Sequence, residues 1–333
     1  MYIIREYPVA VAFCVITMFC WGSWANTSKI SAKDWPFPMF YWDYSIGLIL
    51  AALLFGLTMG STGAGGRSFV SDLLQADRGS IISAAIGGVV FNLSNLLIVA
   101  AISVAGLSVA FPIGVGLALV IGVVVNYVKE PRGNPLLLFG GVLLVVLAMT
   151  VNAVASSKMR GARTSSPAKG IILSVLAGII MGFFYRFVAD SLTQDFVTPE
   201  PGKLTPYSAV LVFSVALFLS NFVWNTWFMY RPVDGSTSTY REYVVNGTLK
   251  RHLIGIAGGL IFNTGFLCNL IASDKAGPAI SYGLGQGATM IGAAWGVFVF
   301  KEFSGAPPAV SRYLAVMFIT FIIGLGLIVA AKL

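Results

Sequence analysis

Two asparagines, Asn92 and Asn263, stand 171 residues apart, each directly after a Gly-Gly-x-x-Phe sequence: Gly87-Gly88-Val89-Val90-Phe91 and Gly258-Gly259-Leu260-Ile261-Phe262. Both fall near the middle of long apolar runs. An amide carries a donor and an acceptor, which suits a solute edge of alternating N–H and C=O groups. Its other use in such a run is to bond one helix to another. Asn95 follows Asn92 by one turn and shares its face. Gln286 follows Tyr282 by one turn in a glycine-rich stretch where a helix or a ligand can approach closely. Trp21 and Trp24 are three apart on one face, and Phe184 matches Trp24 when Gly22 is paired with Gly182. Flat rings of this kind suit stacking on a heterocycle or a sugar face, although tryptophans near a run's end also serve as interfacial anchors.

Less central candidates are Asn221, Trp224 and Asn225, which share a face beside the belt-like Trp227 and Tyr230. Arg186 and Asp190 are spaced for a local ion pair, unless Arg186 faces a cavity and favours an anionic or carbonyl-rich solute. Asp43, flanked by Tyr41, Trp42 and Tyr44, is the single acid of its run. About 7 Å into a helix, it is partly removed from water and is the candidate proton-coupling group. The competing reading is a fixed ion pair with Lys29 or Lys33. Catalysis is not expected, because no nucleophile, base and orienting group are suitably spaced. With one histidine, His252, and with Cys14, Cys20 and Cys268 all inside apolar runs, neither a metal site, nor a disulfide, nor a cofactor is expected.

The elements that must hold these residues are set by composition. Of 333 residues 57% are hydrophobic and 10% charged, with a mean hydropathy of +0.86. This excludes water as the main solvent and makes the lipid bilayer the partner of most of the surface. Since roughly 20 apolar residues span a bilayer, charges and turns divide the chain into ten spans: Pro8–Trp24, Pro38–Gly60, Ser80–Ala101, Gly106–Val128, Pro135–Ala155, Gly170–Ala189, Tyr207–Tyr230, Leu253–Ala272, Pro278–Phe300 and Ala309–Ala331. The net charge of +8 is spread over short loops, which does not suggest nucleic acid.

The 171-residue offset continues from Ala105-Gly106 to Ala276-Gly277 and through Gly114/Gly285 and Gly116/Gly287, then slips by one at Lys129-Glu130 and Lys301-Glu302. We read a duplication: residues 1–156 and 170–333 as two five-helix repeats, joined by a basic link, 157–169. An odd helix count inserts the second repeat upside down, giving an all-α membrane protein of ten helices in two inverted repeats. Lys and Arg concentrate in the loops after the first, fifth, seventh and ninth runs, which places that side in the cytoplasm and both termini outside. On that orientation the sequon Asn246-Gly247-Thr248 is a chance match.

The stretch Cys20-Trp21-Gly22-Ser23-Trp24-Ala25-Asn26-Thr27 resembles the helix 1 signature of the ureide permease family, within the drug/metabolite transporter superfamily. Asp43-Tyr44-Ser45 and Gly106-Leu107-Ser108-Val109-Ala110 fit the same pattern, and Asn26 becomes a possible solute contact. The resemblance implies proton-coupled uptake of allantoin or related oxo-purines and pyrimidines. Plant members carry a long central loop with a P-loop-like sequence. Here the link is short and lacks that motif, so nucleotide binding is not expected and the build looks bacterial. The expectation is a proton-coupled importer of a small, polar, uncharged ring solute in the cell (inner) membrane, working by alternating access. A sugar porter or a metabolite or drug exporter remains the alternative.

Overall fold

The structure, a computed structural model, describes residues 1–31, 35–63, 65–159 and 167–333. Its apolar runs form helices because a segment in hydrocarbon must satisfy its own backbone N–H and C=O groups. In order they are α1 (Tyr7–Ser23), α2 (Ala25–Ser31), α3 (Phe37–Leu57), α4 (Phe69–Gln75), α5 (Arg78–Ala105), α6 (Leu107–Lys129), α7 (Pro135–Met159), α8 (Pro167–Ser191), α9 (Pro206–Ser220), α10 (Trp224–Tyr230), α11 (Tyr240–Asn246), α12 (Leu249–Ala276), α13 (Pro278–Gly285), α14 (Ala288–Ala294) and α15 (Pro308–Ala330). A π-helical turn, Trp295–Val299, follows α14. Among the described residues nine spans, counting α1–α2 and α9–α10 as one each, are long and apolar enough to cross a membrane. The protein is an all-α integral membrane protein. Phe19, Leu54, Leu57 and Ile322 are all more than half exposed, as a lipid-facing surface requires.

The ninth run departs from the expected single helix. At Gln286-Gly287 it breaks into α13 and α14, with the Gly287 N–H turning back to the Leu284 carbonyl (2.9 Å) in a tighter i→i+3 bond. Two flanking glycines make this break inexpensive. In the π turn that follows, the Phe300 N–H reaches the Trp295 carbonyl at 2.9 Å. An i→i+5 turn holds one residue more than an α turn. It lies within the stretch, between Gly287 and Lys301, where the sequence offset grows from 171 to 172.

Elsewhere the halves correspond closely. Helices α4 and α11 are both seven residues long, α5 and α12 both 28, and each pair begins 171 residues apart. Each long helix ends on a glycine of positive φ, Gly106 (+78°) and Gly277 (+85°), which other residues adopt only with strain. Packing corresponds too: α5 lies on α8 and α9 as α12 lies on α1 and α3, while α6 with α13 and α7 with α15 pair across the halves. A Cβ on Gly88 would overlap the Phe213 carbonyl, and one on Gly259 the Tyr44 carbonyl, so both helices touch their partners backbone to backbone.

The orientation expected from the loops leans partly on Lys33, Arg160 and Arg163, which lie outside the described residues, as does most of the central link.

Candidate functional site

Phe91 and Phe262, equivalent positions of the two halves, meet with ring centroids 5.1 Å apart. Phe184, Phe213 and Phe266 close around them, at 4.9 Å for Phe91–Phe184 and 4.6 Å for Phe213–Phe266. Beside this block Trp21 stacks on Phe262 (5.6 Å, 14° between planes), and Trp24 packs on Tyr44 (4.8 Å). Both tryptophans are therefore engaged inside the bundle, while Trp227 and Tyr230 are 61% and 49% exposed and look outward as a belt. The Trp21 indole N–H, the Tyr44 hydroxyl and the Asn26 amide nitrogen are buried without a partner. Asn95 donates to the Tyr41 hydroxyl (3.1 Å), and Tyr41 stacks on Tyr44 at 5.1 Å. Trp21, Trp24, Tyr41, Tyr44 and Asn95 thus form one aromatic box with unused polar groups.

Asn92 and Asn263 are fully buried, and their amide nitrogens are committed to neighbouring helices. Asn92 donates to the Leu217 carbonyl (3.2 Å), the Ser220 hydroxyl (2.7 Å) and the Asn221 side-chain oxygen (2.9 Å). Asn263 donates to the Leu48 carbonyl (2.6 Å) and the Ser214 hydroxyl (3.1 Å). In both, the amide oxygen is left without a partner. Asn225 similarly ties α10 to the Pro38 carbonyl at 2.8 Å, and the neighbouring Trp224 N–H is unpartnered. The Tyr282 hydroxyl donates to the Ala118 carbonyl (3.2 Å), its ring 6.1 Å from Phe184. Gln286 stands buried at the helix break. Asn269 was missed by the sequence reading: its amide donates to the Ser281 carbonyl (2.8 Å), its oxygen has no partner, and it adjoins Gly285 beside Trp21. It has no counterpart in the first half, where the equivalent position is Ile98, so only its polarity within an apolar run signals it.

Each end of the bundle holds a cavity. At one, about 300 Å³ is lined by Lys129, Glu130, Arg186, Asp190, Lys203 and Asp274 among others. Arg186 makes a two-pronged pair with Asp190 (Nε to Oδ2, 2.8 Å), while its Nη1 is buried without a partner. At the other end, about 310 Å³ lies between Phe37, Leu96 and Phe228 and the loop at Pro232.

Asp43 belongs to this second end. It is 1% exposed, and its Oδ1 accepts from the Tyr243 hydroxyl at 2.5 Å and faces His252 Nδ1 at 2.8 Å; Oδ2 is buried without a partner. Trp35 covers the cluster, 5.7 Å from both the Tyr243 and His252 rings. Burial, and then the adjoining carboxylate, push the Tyr243 hydroxyl well above its ordinary pKa. The lysine partners considered for Asp43 are not what it meets. Lys29 pairs with Glu302 at 3.3 Å, and Lys33 lies outside the described residues. His252, set aside as a lone histidine, is the neighbour of Asp43 that sequence reasoning missed.

A sequence model of the ureide permease family matches residues 40–165 and 158–331. Ureide permease 1 of Arabidopsis thaliana is 24% identical over 395 aligned positions, covering 100% of this chain and 99% of its own length. Ureide permease 2 of the same plant is 24% identical over 403 positions, with the same coverage. These alignments exceed the 333 residues here, so the plant proteins carry added segments. A solved crystal structure shares the fold at a TM-score of 0.58 and 14% identity, over 95% of this chain and 97% of its own. With two matches that together span most of its length, the chain belongs to the ureide permease family.

Proposed function

We propose that the protein is a secondary transporter that imports a ureide or a related small polar ring solute, coupled to protons, by alternating access. The observation that carries this reading is the pair of end cavities on either side of an aromatic block, next to which buried donors have no protein partner. Family membership points to transport rather than to catalysis. The solute site in this reading lies in the box of Trp21, Trp24, Tyr44 and Asn95, extended by Asn26 and by Tyr282, Gln286 and Asn269. Stacking recognises a flat ring, and the Trp21 N–H and Tyr44 O–H supply donors to its carbonyls. A buried polar group without a partner carries a desolvation cost that a bound solute relieves.

Residues 1–156 and 170–333 would act as two inverted repeats, with the link 157–169 in the cytoplasm, both termini outside and the chain in the cell (inner) membrane. The cavity at Arg186 then faces outward, and the Arg186 Nη1 meets an incoming carbonyl. Asp43, at the inward end, is the proton-coupling carboxyl. The reading is tested by thermal shift of the purified protein against ureides, nucleobases and sugars, since a ligand of the folded state raises the melting temperature. Stabilisation by allantoin or a nucleobase supports it. Stabilisation by sugars alone, or by cationic drugs alone, overturns the substrate class.

A further inference from the structure

Helix α11 has little of its own to keep it in place. It is seven residues long and wholly buries none of them. A helix of that length is marginal in isolation. Its capping box, with Thr239 and Glu242 bonded reciprocally at 3.2 and 2.7 Å, fixes its first turn but attaches it to nothing else. Side chains fasten it to the bundle at three points: the Tyr240 hydroxyl meets the Thr226 hydroxyl and its ring packs near Trp42, Arg251 donates to the Asn246 carbonyl, and Tyr243, its ring on Trp35, donates its hydroxyl to Asp43 of α3, 200 positions away in sequence. The same carboxylate oxygen faces His252 of α12, so three elements converge on one buried charge.

Two donors on a single oxygen fit an ionised carboxylate, and a hydrogen bond to a charged acceptor is roughly twice as strong as one to a neutral group. Asp43 has no route of its own to water. The His252 side chain is 27% exposed and touches both water and carboxylate. Imidazole is also the one side chain whose ordinary titration falls between pH 5 and 8. Other titratable neighbours are engaged elsewhere. Tyr41 and Tyr44 of α3 turn to Asn95 and Trp24. Arg251 of α12 lies over Trp35 at 5.4 Å and donates to the Asn246 carbonyl, and Lys29 of α2 pairs with Glu302. Lys33 and Asp34, which precede Trp35, lie outside the described residues.

We infer that Asp43, Tyr243 and His252 form a proton-operated latch, in which the ionised carboxylate holds α11 against α3 and α12 and proton uptake through His252 releases it. A proton from water binds the imidazole at Nε2, and the ring passes the Nδ1 proton to Asp43 Oδ1. The ring ends neutral, with its proton on Nε2. The carboxyl is neutral as well, with a hydroxyl where two donors had converged. Tyr243 loses its charged acceptor, and the middle of α11 loses the charged one of its three fastenings. The latch rests on the proton-coupled reading only for what release accomplishes, not for release itself.

The test is hydrogen exchange of the full-length protein in lipid nanodiscs at pH 5.5 and 7.5, corrected for intrinsic rates and read on the peptide covering 240–246. The wild type should lose about tenfold protection there at the acid pH, the worth of one charge-assisted bond made neutral. Asp43→Asn and Tyr243→Phe should be weakly protected at both values, without a step. His252→Gln keeps a donor but cannot titrate, and it should displace or flatten the step. Unchanged protection of α5 in each variant establishes that the bundle is folded. A wild type equally protected at both values, or a step that persists in Asp43→Asn, overturns the latch. Solute uptake under an imposed proton gradient, measured on the same preparations, separates the two ideas. Uptake indifferent to the gradient with the step intact removes the coupling reading and leaves the latch. Gradient-driven uptake without a step removes the latch alone.

Discussion

At the residue scale, the polar side chains inside apolar runs divide by whether the bundle uses them. Asn92 and Asn263 are used: each donates to the backbone of a neighbouring helix, so Asn92→Ala or Asn263→Ala removes buried hydrogen bonds between helices. Each should lower stability by about 1–3 kcal/mol, measured by denaturant unfolding in mixed micelles, while solute affinity changes less. Trp21 is not used in this way. Trp21→Phe keeps a ring against Phe262 but removes the orphaned N–H, and it should weaken solute binding by roughly 2- to 10-fold with little change in melting temperature. A large drop in melting temperature with unaltered affinity would identify Trp21 as packing. The sequence reveals these residues because polarity at membrane depth is costly. It does not reveal which end of an amide is committed, since Asn92 meets Leu217 across 125 positions and Asp43 meets His252 across 209. Contacts of that range depend on which helices become neighbours, and no local pattern encodes that.

Helices themselves are legible because hydrocarbon forces each apolar run to satisfy its own backbone. Departures from regular helix are hidden, since the π turn at Trp295–Val299 is as apolar as its surroundings and Gln286-Gly287 sits in a stretch where glycines already recur. The π turn's one trace is the single-residue slip between the halves after Gly287. Two predictions belong to this scale. Gly259→Val would force α12 away from the Tyr44 carbonyl, and overpacking of this kind costs about 1–3 kcal/mol. A melting temperature within a degree of wild type would show that the helices give way freely. For α11, Thr239→Ala removes the side-chain acceptor of the Glu242 N–H and should cost about 0.5–2 kcal/mol of local stability, seen as faster amide exchange over 240–246 and not over α12.

For the whole molecule, the repeated packing of α5 and α12 makes the two ends counterparts, and orientation decides which one faces the cytoplasm. Cys14, Cys20 and Cys268 are free thiols that can be replaced to give a cysteine-free background. In that background Leu333→Cys, at a residue 91% exposed, should react with an impermeant maleimide on intact cells. Arg241→Cys in α11, also exposed, should react only after permeabilisation. The reverse pattern would turn the protein over. The phenylalanine block between the ends bears on electrical leak. The side chains of Phe91, Phe184, Phe213, Phe262 and Phe266 contain no atom that donates or accepts a hydrogen bond. Proton hopping needs an unbroken wire of groups that do both, and these rings interrupt it with a layer of low dielectric in which a bare charge is very costly. On the proton-coupled proposal, a proton would then cross only as cargo, at the tempo of helix motion rather than of hopping. Cutting a polar gap into that insulation, as Phe262→Ser would, should short-circuit the membrane, with a proton current that flows when no solute is present.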